Sequence, residues 1–380
     1  MEHAAEERKR ALLAEARRLG FELAGIAPAT PAETSTAYRE WLEAGCAGEM
    51  HYLGRDPDRR ADPRLVWPET GSILVAGLGY RTWEPKAEVW DDPLRGRMAR
   101  YALGDDYHDV LIHKLRALLA WAQERWGSEV QGRTYVDTGP LLERDLAARA
   151  GLGWFGKNTC LIDRKQGSYF FLGALLLNLE LPPDAPTTAH CGTCDRCQVA
   201  CPTEAFLAPY VLDARRCLSY LTIELRGPIP RELRPLVGNW IFGCDVCQEV
   251  CPWNRKPGLA TEPAFAPRPS LQAPELIPLL RMTQEEFSAT FRRSAVKRTK
   301  RRGFLRNVCV ALGNSGDRAA VPALAEALSH DEPLVRGHAA WALGRLGGPQ
   351  AEAALRSALA AEADPYVREE VIGALVELRA

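Results

Sequence analysis

The residues best suited to chemistry in this sequence are cysteines, and they are unevenly placed along the chain. Eight of the eleven cysteines lie between positions 191 and 251. The first four follow the spacing C-x2-C-x2-C-x3-C-P, and the last three repeat the C-x2-C-x3-C-P part. Thiolates at this spacing bind 4Fe–4S clusters, which accept and donate single electrons. The pattern therefore predicts an electron-transfer module.

The cysteine pattern also predicts which thiolates share a cluster. In two-cluster bacterial ferredoxins the fourth cysteine of each run ligates the other run's cluster. The predicted ligands of the first cluster are Cys191, Cys194, Cys197 and Cys251, and those of the second are Cys201, Cys217, Cys244 and Cys247. The alternative is a pair of structural zinc sites with four thiolates each. The doubled C-x3-C-P favours iron–sulfur clusters over zinc.

Composition sets the limits for the rest of the chain. The 380 residues leave room for two or three domains, and the net charge of -1 indicates no overall preference for a polyanionic partner. The first twenty residues lack the apolar stretch of a signal peptide, and the longest apolar run, 170–177, is too short to span a bilayer. We therefore predict a cytoplasmic protein with no membrane segment, in a compartment where thiols stay reduced.

Hydrophobic periodicity predicts a multidomain protein of the α+β or α/β class. The predicted domains are an N-terminal α/β domain (1–185), a ferredoxin-like domain (186–257), a proline-rich linker with a helix (258–290) and HEAT-like helical repeats (291–380). Within the first domain the predicted elements include strands at FELAGIA, SILVAGLGY, TYVDT and SYFFLGALLLNLEL, and helices at 6–19, 107–126 and 140–150.

The C-terminal segment repeats itself at a spacing of 31 residues. The matching pairs are Gly313 with Gly344, Leu324 with Leu355, and Leu328 with Leu359. Paired amphipathic helices at such a period are typical of HEAT-like arrays, whose helices bury their apolar faces against the neighbouring repeat. The alternative is a plain helical bundle.

The GLGWFG segment at 151–156 matches the G-x-G-x-x-G dinucleotide fingerprint by letters only. That fingerprint needs a strand before it and a helix after it. Here a helix is predicted before it and a strand after it. The segment therefore favours a glycine-rich loop against some other large cofactor over nicotinamide or flavin binding.

Several stretches around the cysteines together resemble the epoxyqueuosine reductase family. They are RYALGDDYH (100–108), YVDTGPLLERDLAARAGLGWFGKNT (135–159), LDARRCLSYLTIELRGPIP (212–230) and GNWIFGCDVCQEVCPWN (238–254). The resemblance runs in order over roughly residues 1–256. This family removes the epoxide oxygen in the last step of queuosine synthesis on the wobble base of tRNA, and the reductive dehalogenases are its relatives.

The resemblance implies cofactors and partners that composition and spacing do not reveal. It implies cobalamin, bound base-off in the N-terminal domain beside the two 4Fe–4S clusters. It also implies a tRNA bearing epoxyqueuosine as substrate and a low-potential electron donor. We expect the chain to be a monomer.

The resemblance also assigns roles to individual residues. Asp137, as proton donor, with Tyr107 and His108, is expected on the reacting side of the corrin. The expected cofactor-binding residues are Arg60, Arg100, Asp137, Lys157, Asn158 and Ser219. Three alternatives remain open: Asp137 as the N-cap of the following helix, His108 as a helix N-terminal residue bonded to backbone, and Arg60 as a solvated charge.

A basic segment at 291–307 contains eight Arg and Lys residues and no acidic residue. Solvated helix faces usually mix both signs, so a segment of one sign predicts contacts with phosphates. The predicted tRNA-binding residues are Arg226, Arg293, Lys297 and Arg298. The alternative is a helix whose charges only face solvent.

These observations together predict an oxidoreductase that reduces epoxyqueuosine to queuosine. The first alternative is a cytosolic reductive dehalogenase of a small organohalide, and the basic segment favours the tRNA enzyme over it. The second is an electron-transfer scaffold with no chemistry of its own, which bound cobalamin would exclude.

Metal analysis of anaerobically prepared protein tests the cysteine assignment. We expect about eight iron and eight sulfide per chain, because each cluster takes four cysteines. Replacing Cys201 by Ala should damage the second cluster and spare the one held by its sequence neighbours. Stoichiometric zinc in place of iron would contradict the assignment.

Overall fold

The computed structural model describes residues 2–379, so the first residue of the predicted domain 1–185 and the last of 291–380 lie outside the described residues. The α-helices are α1 (Glu2–Arg18), α2 (Ser35–Glu43), α3 (Pro57–Ala61), α4 (Pro63–Val66), α5 (Tyr107–Trp126), α6 (Glu143–Arg149), α7 (Arg196–Val199), α8 (Leu218–Ile223), α9 (Arg234–Val237), α10 (Val246–Glu249), α11 (Leu276–Leu280), α12 (Gln284–Thr290), α13 (Lys300–Asn314), α14 (Val321–Ala327), α15 (Pro333–Leu346), α16 (Pro349–Ala361) and α17 (Pro365–Glu377). The strands are β1 (Leu23–Pro28), β2 (Ser72–Gly79), β3 (Arg97–Met98), β4 (Gly132–Tyr135), β5 (Trp154–Phe155), β6 (Leu161–Ile162), β7 (Phe170–Leu177), β8 (Phe206–Ala208), β9 (Val211–Leu212) and β10 (Trp240–Phe242).

The chain forms two compact units, each built from separate stretches of sequence. The first contains the described residues up to Trp83, Asp105–Asp213 and Val246–Ala266. The second contains Glu84–Gly104, Ala214–Asp245 and the described residues from Pro267 onward. The predicted domain boundaries follow motifs along the sequence rather than contacts, and they stay a prediction. No helix within residues 2–379 is both long and apolar enough to cross a bilayer.

The first unit is organised around a four-stranded sheet of order β1-β2-β7-β4. Its three pairings are all antiparallel, so the unit has the α+β form of the predicted class. Every residue of β2 is buried. Helix α6 packs Leu146 and Ala147 into the core beside Ile73 and Val75 of this strand. An apolar strand covered on both faces explains the unbroken hydrophobic run at SILVAGLG.

Helix α6 begins later than the sequence predicts. It was expected from Pro140, but it begins at Glu143, and residues 136–142 form a loop, here named the Asp137 loop. Leu142, with φ −92° and ψ 74°, is the N-cap residue, so its backbone lies outside the helical region. Gly151, at φ +75°, ends α6 as expected. The GLGWFG segment contains the short strand β5 and is followed by β6, which lies in the predicted strand NTCLID, so the helix-before, strand-after order is as the sequence predicts.

The second unit contains the helical repeats. The two glycines aligned in the sequence both lie where one repeat helix crosses the next. A Cβ on Gly313 would lie 2.8 Å from Ala342 Cα, and one on Gly344 would lie 2.8 Å from Ala374 Cβ. Because only glycine allows such close approach, both repeats need it at the same position. The predicted repeat is confirmed.

Two buried polar residues of α13 bind the backbone of earlier segments in the second unit. Arg306 is fully buried and donates to the carbonyls of Leu221, Leu225 and Gly227. Asn307 donates 2.7 and 2.8 Å hydrogen bonds to the carbonyls of Thr222 and Ile241. These groups satisfy two carbonyls of the last turn of α8, two of the segment that follows it, and that of Ile241 in β10. The repeats therefore hold in place the segments that follow Cys217 and precede Cys244.

Candidate active site and cluster cysteines

The N-terminus of α5 presents Tyr107 and His108. Asp106 is the N-cap residue, and its carboxylate accepts a 3.1 Å hydrogen bond from the His108 backbone N–H. The same oxygen lies 2.7 Å from His108 Nδ1. The Tyr107 ring stacks on Phe171 of β7, with centroids 4.2 Å apart and planes 5° from parallel. One cap and one stacking contact thus fix both side chains.

Asp137 lies two residues beyond the end of β4, and it completes a group with these two side chains. Tyr107 Oη donates a 2.7 Å hydrogen bond to Asp137 Oδ2. His108 Nε2 lies 3.5 Å from the same oxygen, which is an ion-pair distance rather than a good hydrogen bond. The Asp137 side chain is 64% exposed and can reach a ligand from solvent.

The backbone of Asp137 is strained, and its helix-cap alternative is wrong. Its φ is +54°, a region that non-glycine residues enter at a cost. Leu142 is the N-cap of α6, with no side-chain cap hydrogen bond. The cap role would need a helix beginning beside Asp137, but α6 begins six residues later. Aspartate is enriched among the non-glycine residues with positive φ, so the strain at this position is small.

The electrostatics of the group favour a protonated histidine. Burial lowers the pKa of His108, but the carboxylates of Asp106 and Asp137 outweigh that cost and raise the pKa to about 9. Burial also raises the pKa of Asp106, and its hydrogen bonds from His108 lower it below the ordinary value. At neutral pH His108 is therefore an imidazolium, and it lies beside the carboxyl groups of Asp106 and Asp137.

Glu143 is a member of this region that the sequence analysis missed. Its Oε1 is shielded from solvent and has no hydrogen-bond partner among the described residues, although the residue as a whole is half-buried. The carboxyl accepts a hydrogen bond from the Asp137 backbone N–H. Burial, and then the charge of Asp137, raise the pKa of Glu143 to about 8. A glutamate six residues after Asp137, at the start of an apolar helix, gave no signal of this in the sequence.

Arg60 also binds the Asp137 loop. Its guanidinium donates to the carbonyl of Gly139 at 3.3 Å and to that of Tyr52 at 3.4 Å. These contacts account for its half-buried position better than a solvated charge does. Its predicted contact with a cofactor stays a prediction.

Lys157 and Asn158 follow the glycine-rich segment in the first unit. Asn158 is buried, and its Nδ2 donates a 3.4 Å hydrogen bond to the carbonyl of Cys247. The Lys157 carbonyl accepts a 3.1 Å bond from the Tyr210 N–H. Asn158 therefore positions the backbone of a predicted cluster ligand.

Arg100 and Ser219 belong to the second unit. Arg100 is buried and pairs with Asp245 at 3.1 Å and with Glu84 at 2.7 Å. Ser219 is half-buried on α8. Their predicted cofactor contacts are therefore not part of the group around Asp137 and stay predictions.

The first unit contains the four predicted ligands of the first cluster, and their assignment stays a prediction. Burial, and then the charges of Cys251 and Cys191, raise the pKa of Cys197 to about 11. Burial raises the pKa of Cys251, and the charges of Cys191 and Cys194 raise it further. Trp154 and Trp253 pack beside Cys191 and Cys251. Cysteines with an aromatic cover suit a 4Fe–4S cluster, whose protein shell limits solvent access.

The predicted ligands of the second cluster are divided between the units. Cys201 and Cys247 belong to the first, and Cys217 and Cys244 to the second, where Cys217 is the N-cap of α8. Within residues 2–379, no three His, Cys, Asp or Glu side chains are grouped so as to hold a single metal ion. The ligand assignment of the second cluster stays a prediction.

Two features of the first unit fit a large cofactor without a histidine ligand. Both ring nitrogens of His108 face carboxyl groups, so this imidazole does not present a nitrogen to a cofactor metal. Trp154 Nε1, in the glycine-rich segment, is buried without a hydrogen-bond partner in the described part of the chain. Buried donors of this kind need an explanation, and a bound cofactor supplies one.

The basic segment is only partly free to bind phosphates. Arg306 is buried, as described above, and Arg298 forms two 2.9 Å hydrogen bonds with Glu224. Arg226 donates to the carbonyl of Arg298 at 2.9 Å. Lys297 and Arg293 are exposed. The fold therefore uses some of the predicted tRNA-binding cations for its own structure.

Comparisons with known proteins match three parts of the chain to protein families. Residues 60–138 match the model of the epoxyqueuosine reductase QueG family. Residues 190–254 match a 4Fe-4S double cluster binding domain, and residues 289–376 match HEAT repeats. The double-cluster match covers all eight predicted cysteine ligands. These matches confirm the predicted cluster-binding module and repeats.

Whole proteins resemble the chain over most of its length. The epoxyqueuosine reductase of Xanthomonas campestris is 44% identical over 87% of this chain and 94% of its own. That of Escherichia coli is 43% identical over 86% of both chains. An epoxyqueuosine reductase crystallised with an epoxyqueuosine-modified tRNA-Tyr stem loop superposes with a TM-score of 0.92, at 32% identity and 99% and 100% coverage. A Bacillus subtilis enzyme whose catalytic aspartate loop is swung out gives 0.90, at 31% identity and 98% and 100% coverage.

The buried Glu143 carboxyl predicts a pH-dependent stability. Its pKa is raised from 4.5 to about 8, so its stabilising contribution is complete below pH 4.5 and is lost as the pH rises toward 8. The free energy of unfolding should fall with pH in this range, with a slope from Glu143 of up to about 1.4 kcal/mol per pH unit. Replacing Glu143 by Gln should remove this contribution. Urea unfolding of the cofactor-free chain between pH 5 and pH 8 measures this.

A matched control is Glu124→Gln, which removes an exposed carboxylate from α5 of the same unit. It should leave the slope of the wild-type chain unchanged. The assignment to Glu143 fails if Glu143→Gln and the wild type show the same dependence on pH.

Proposed function

The chain belongs to the epoxyqueuosine reductase family, and from this premise we propose that it reduces epoxyqueuosine to queuosine on the wobble base of tRNA. The observation that supports this most directly is the group formed by Asp137, Tyr107 and His108. It places acidic protons at one exposed point, which removal of an epoxide oxygen requires. The proposal includes cobalamin bound base-off, two 4Fe–4S clusters, a low-potential electron donor, and a monomer in the cytoplasm.

Epoxide removal determines what the protein groups must do. Reducing an epoxide to an alkene consumes two electrons and two protons and releases the oxygen as water. Negative charge develops on that oxygen as the ring opens, so a positioned acid lowers the barrier. Asp137 is the exposed member of the group and the proposed donor to the oxygen, and the neighbouring His108 imidazolium supplies the proton that Asp137 passes on.

Tyr107 and His108 support that donation. Tyr107 orients Asp137 through its 2.7 Å hydrogen bond. His108, whose pKa is about 9, is protonated at neutral pH and holds the second proton beside the same carboxylate. Arg60 and Glu143 hold the loop that carries Asp137. The catalytic aspartate loop of the Bacillus subtilis relative is swung out of the active site, and we propose that the Asp137 loop has a second position of the same kind.

Electrons are proposed to enter through the cysteine module. Clusters held by thiolates span a wide range of potentials, set by burial and hydrogen bonds to sulfur. Bound cobalamin, when reduced, supplies the strong nucleophile or reductant for the epoxide. The glycine-rich segment with Trp154, together with Lys157 and Asn158, is proposed to contact it.

The tRNA is proposed to dock on the exposed cations of the basic segment. Lys297 and Arg293 are exposed, whereas Arg298 shares its charge with Glu224. Phosphate contacts dominate the affinity of proteins for nucleic acids and make it dependent on salt. Binding should therefore depend more on Lys297 than on Arg298.

Replacing Asp137 by Asn tests the proton donor. The change keeps the shape and the hydrogen bond from Tyr107 but removes the acid, so turnover should fall roughly 10²–10⁴-fold. Conversion of epoxyqueuosine-bearing tRNA, read by mass spectrometry of the nucleosides, measures it. Iron and cobalamin content should match the wild type. Near wild-type turnover would exclude Asp137 as the donor.

Replacing Arg293, Lys297 and Arg298 by Ala tests the tRNA surface. Affinity for tRNA should fall, and the log–log salt dependence should lose up to ~0.9 for each lost phosphate contact. Arg345→Ala, which removes an exposed cation from α15, is the control and should change neither quantity. Unchanged affinity and salt slope in the triple variant would show that the segment only faces solvent.

A further inference from the structure

The surface beside the first set of cysteines is unusually apolar. Of the nine exposed large hydrophobic residues among the described ones, four lie between positions 199 and 211. They are Val199 (79% exposed), Leu207 (59%), Tyr210 (48%) and Val211 (39%). Scattered apolar residues are ordinary on a protein surface, but a cluster marks an interaction site.

The fold holds one of these residues in a strained position. Leu207 and Val211 belong to the hairpin of β8 and β9, in which Ala208 pairs with Val211. Tyr210 lies in the turn between these strands at φ +70°. A bulky residue rarely adopts this backbone conformation, and glycine would adopt it without strain. The turn therefore keeps an exposed aromatic ring at a conformational cost.

The same residues lie next to predicted cluster ligands. Val199 ends α7, two residues after Cys197, a predicted ligand of the first cluster. The segment that leads into the hairpin is bonded to Cys201, whose sulfur accepts a 3.4 Å hydrogen bond from the Ala205 N–H, and the Tyr210 N–H donates to the carbonyl of Lys157. Gly192 is exposed, and a Cβ added to it would meet nothing within 4 Å. On this side the cluster site faces solvent through a thin layer of protein.

The charges around the surface argue against nucleic acid as its partner. The exposed charged residues of this stretch include Asp195, Arg196 and Glu204, which are of mixed sign. Nucleic acids bind to groups of Lys and Arg. Redox partners instead meet over small interfaces, below about 1,200 Å² in total, that bring two redox centres close together.

We propose that residues 192–193, 199 and 207–211 form the docking surface for a small one-electron carrier protein that reduces the first cluster. In each encounter the carrier loses one electron and the cluster gains one, with no proton transferred. Two encounters supply the two electrons that epoxide removal consumes. The inference relies on the first cluster and not on the tRNA reaction.

The test compares a protein reductant with a small one, before any tRNA is added. The probes are reduced plant-type ferredoxin, at about −400 mV, and dithionite. Val199→Glu and Tyr210→Asp place charge in the surface, and Asp tolerates the positive φ at position 210. Both should lower the second-order rate of cluster reduction by ferredoxin about ten-fold, the effect of roughly 1.4 kcal/mol at the docking step. Bleaching of the cluster absorbance measures the rate.

The matched control is Leu65→Glu, which changes an equally apolar, 57% exposed residue on another four-residue helix of the first unit. It should leave the rate with ferredoxin unchanged, and all three variants should react with dithionite at the wild-type rate. Equal slowing with dithionite would overturn the proposal, because the change would then act on the cluster. Unchanged rates with ferredoxin, or weaker tRNA binding alone, would also overturn it.

Discussion

The arrangement of the active site depends on one carboxylate, that of Asp106. It caps α5 through the His108 backbone N–H and holds the His108 ring through Nδ1. A cap of this kind contributes about 0.5–2 kcal/mol to helix stability. Because Tyr107 lies between these two residues, the cap also directs its hydroxyl toward Asp137. The proposed proton donation therefore depends on the N-cap of α5, because this cap positions the side chains that contact Asp137.

Much of this could be predicted from the sequence, because the decisive features are local. The cysteine spacing, the cap-like DDYH before an apolar helix and the 31-residue repeat each depend on nearby residues. Glu143 could not be predicted, because its raised pKa results from burial against the Asp137 loop. The predicted start of α6 was wrong by three residues, because Leu142 has the non-helical backbone angles of an N-cap residue and the helix begins only after it. Pairing of Arg298 with Glu224 joins residues 74 apart in sequence, which no local pattern reveals.

The helical repeats do more than extend the chain. Buried Arg306 and Asn307 satisfy carbonyls of the segments near Cys217 and Cys244. Such hydrogen bonds contribute only about 0.5–1.5 kcal/mol each, but an unpaired partner in the interior would cost more. The repeats thus belong structurally to the cysteine-bearing segments of their unit. The cations of the basic segment serve two purposes, since some hold this structure and others remain exposed for a polyanion.

The proposed reaction of this chain is removal of the epoxide oxygen of epoxyqueuosine in tRNA. The most direct measurement incubates the anaerobically reconstituted chain with epoxyqueuosine-bearing tRNA and excess reductant, with and without cobalamin, and identifies the nucleosides by mass spectrometry. We expect queuosine, which is lighter than epoxyqueuosine by one oxygen, only in the sample that contains cobalamin. Unchanged epoxyqueuosine after incubation with a chain shown to contain its clusters and cobalamin would contradict it.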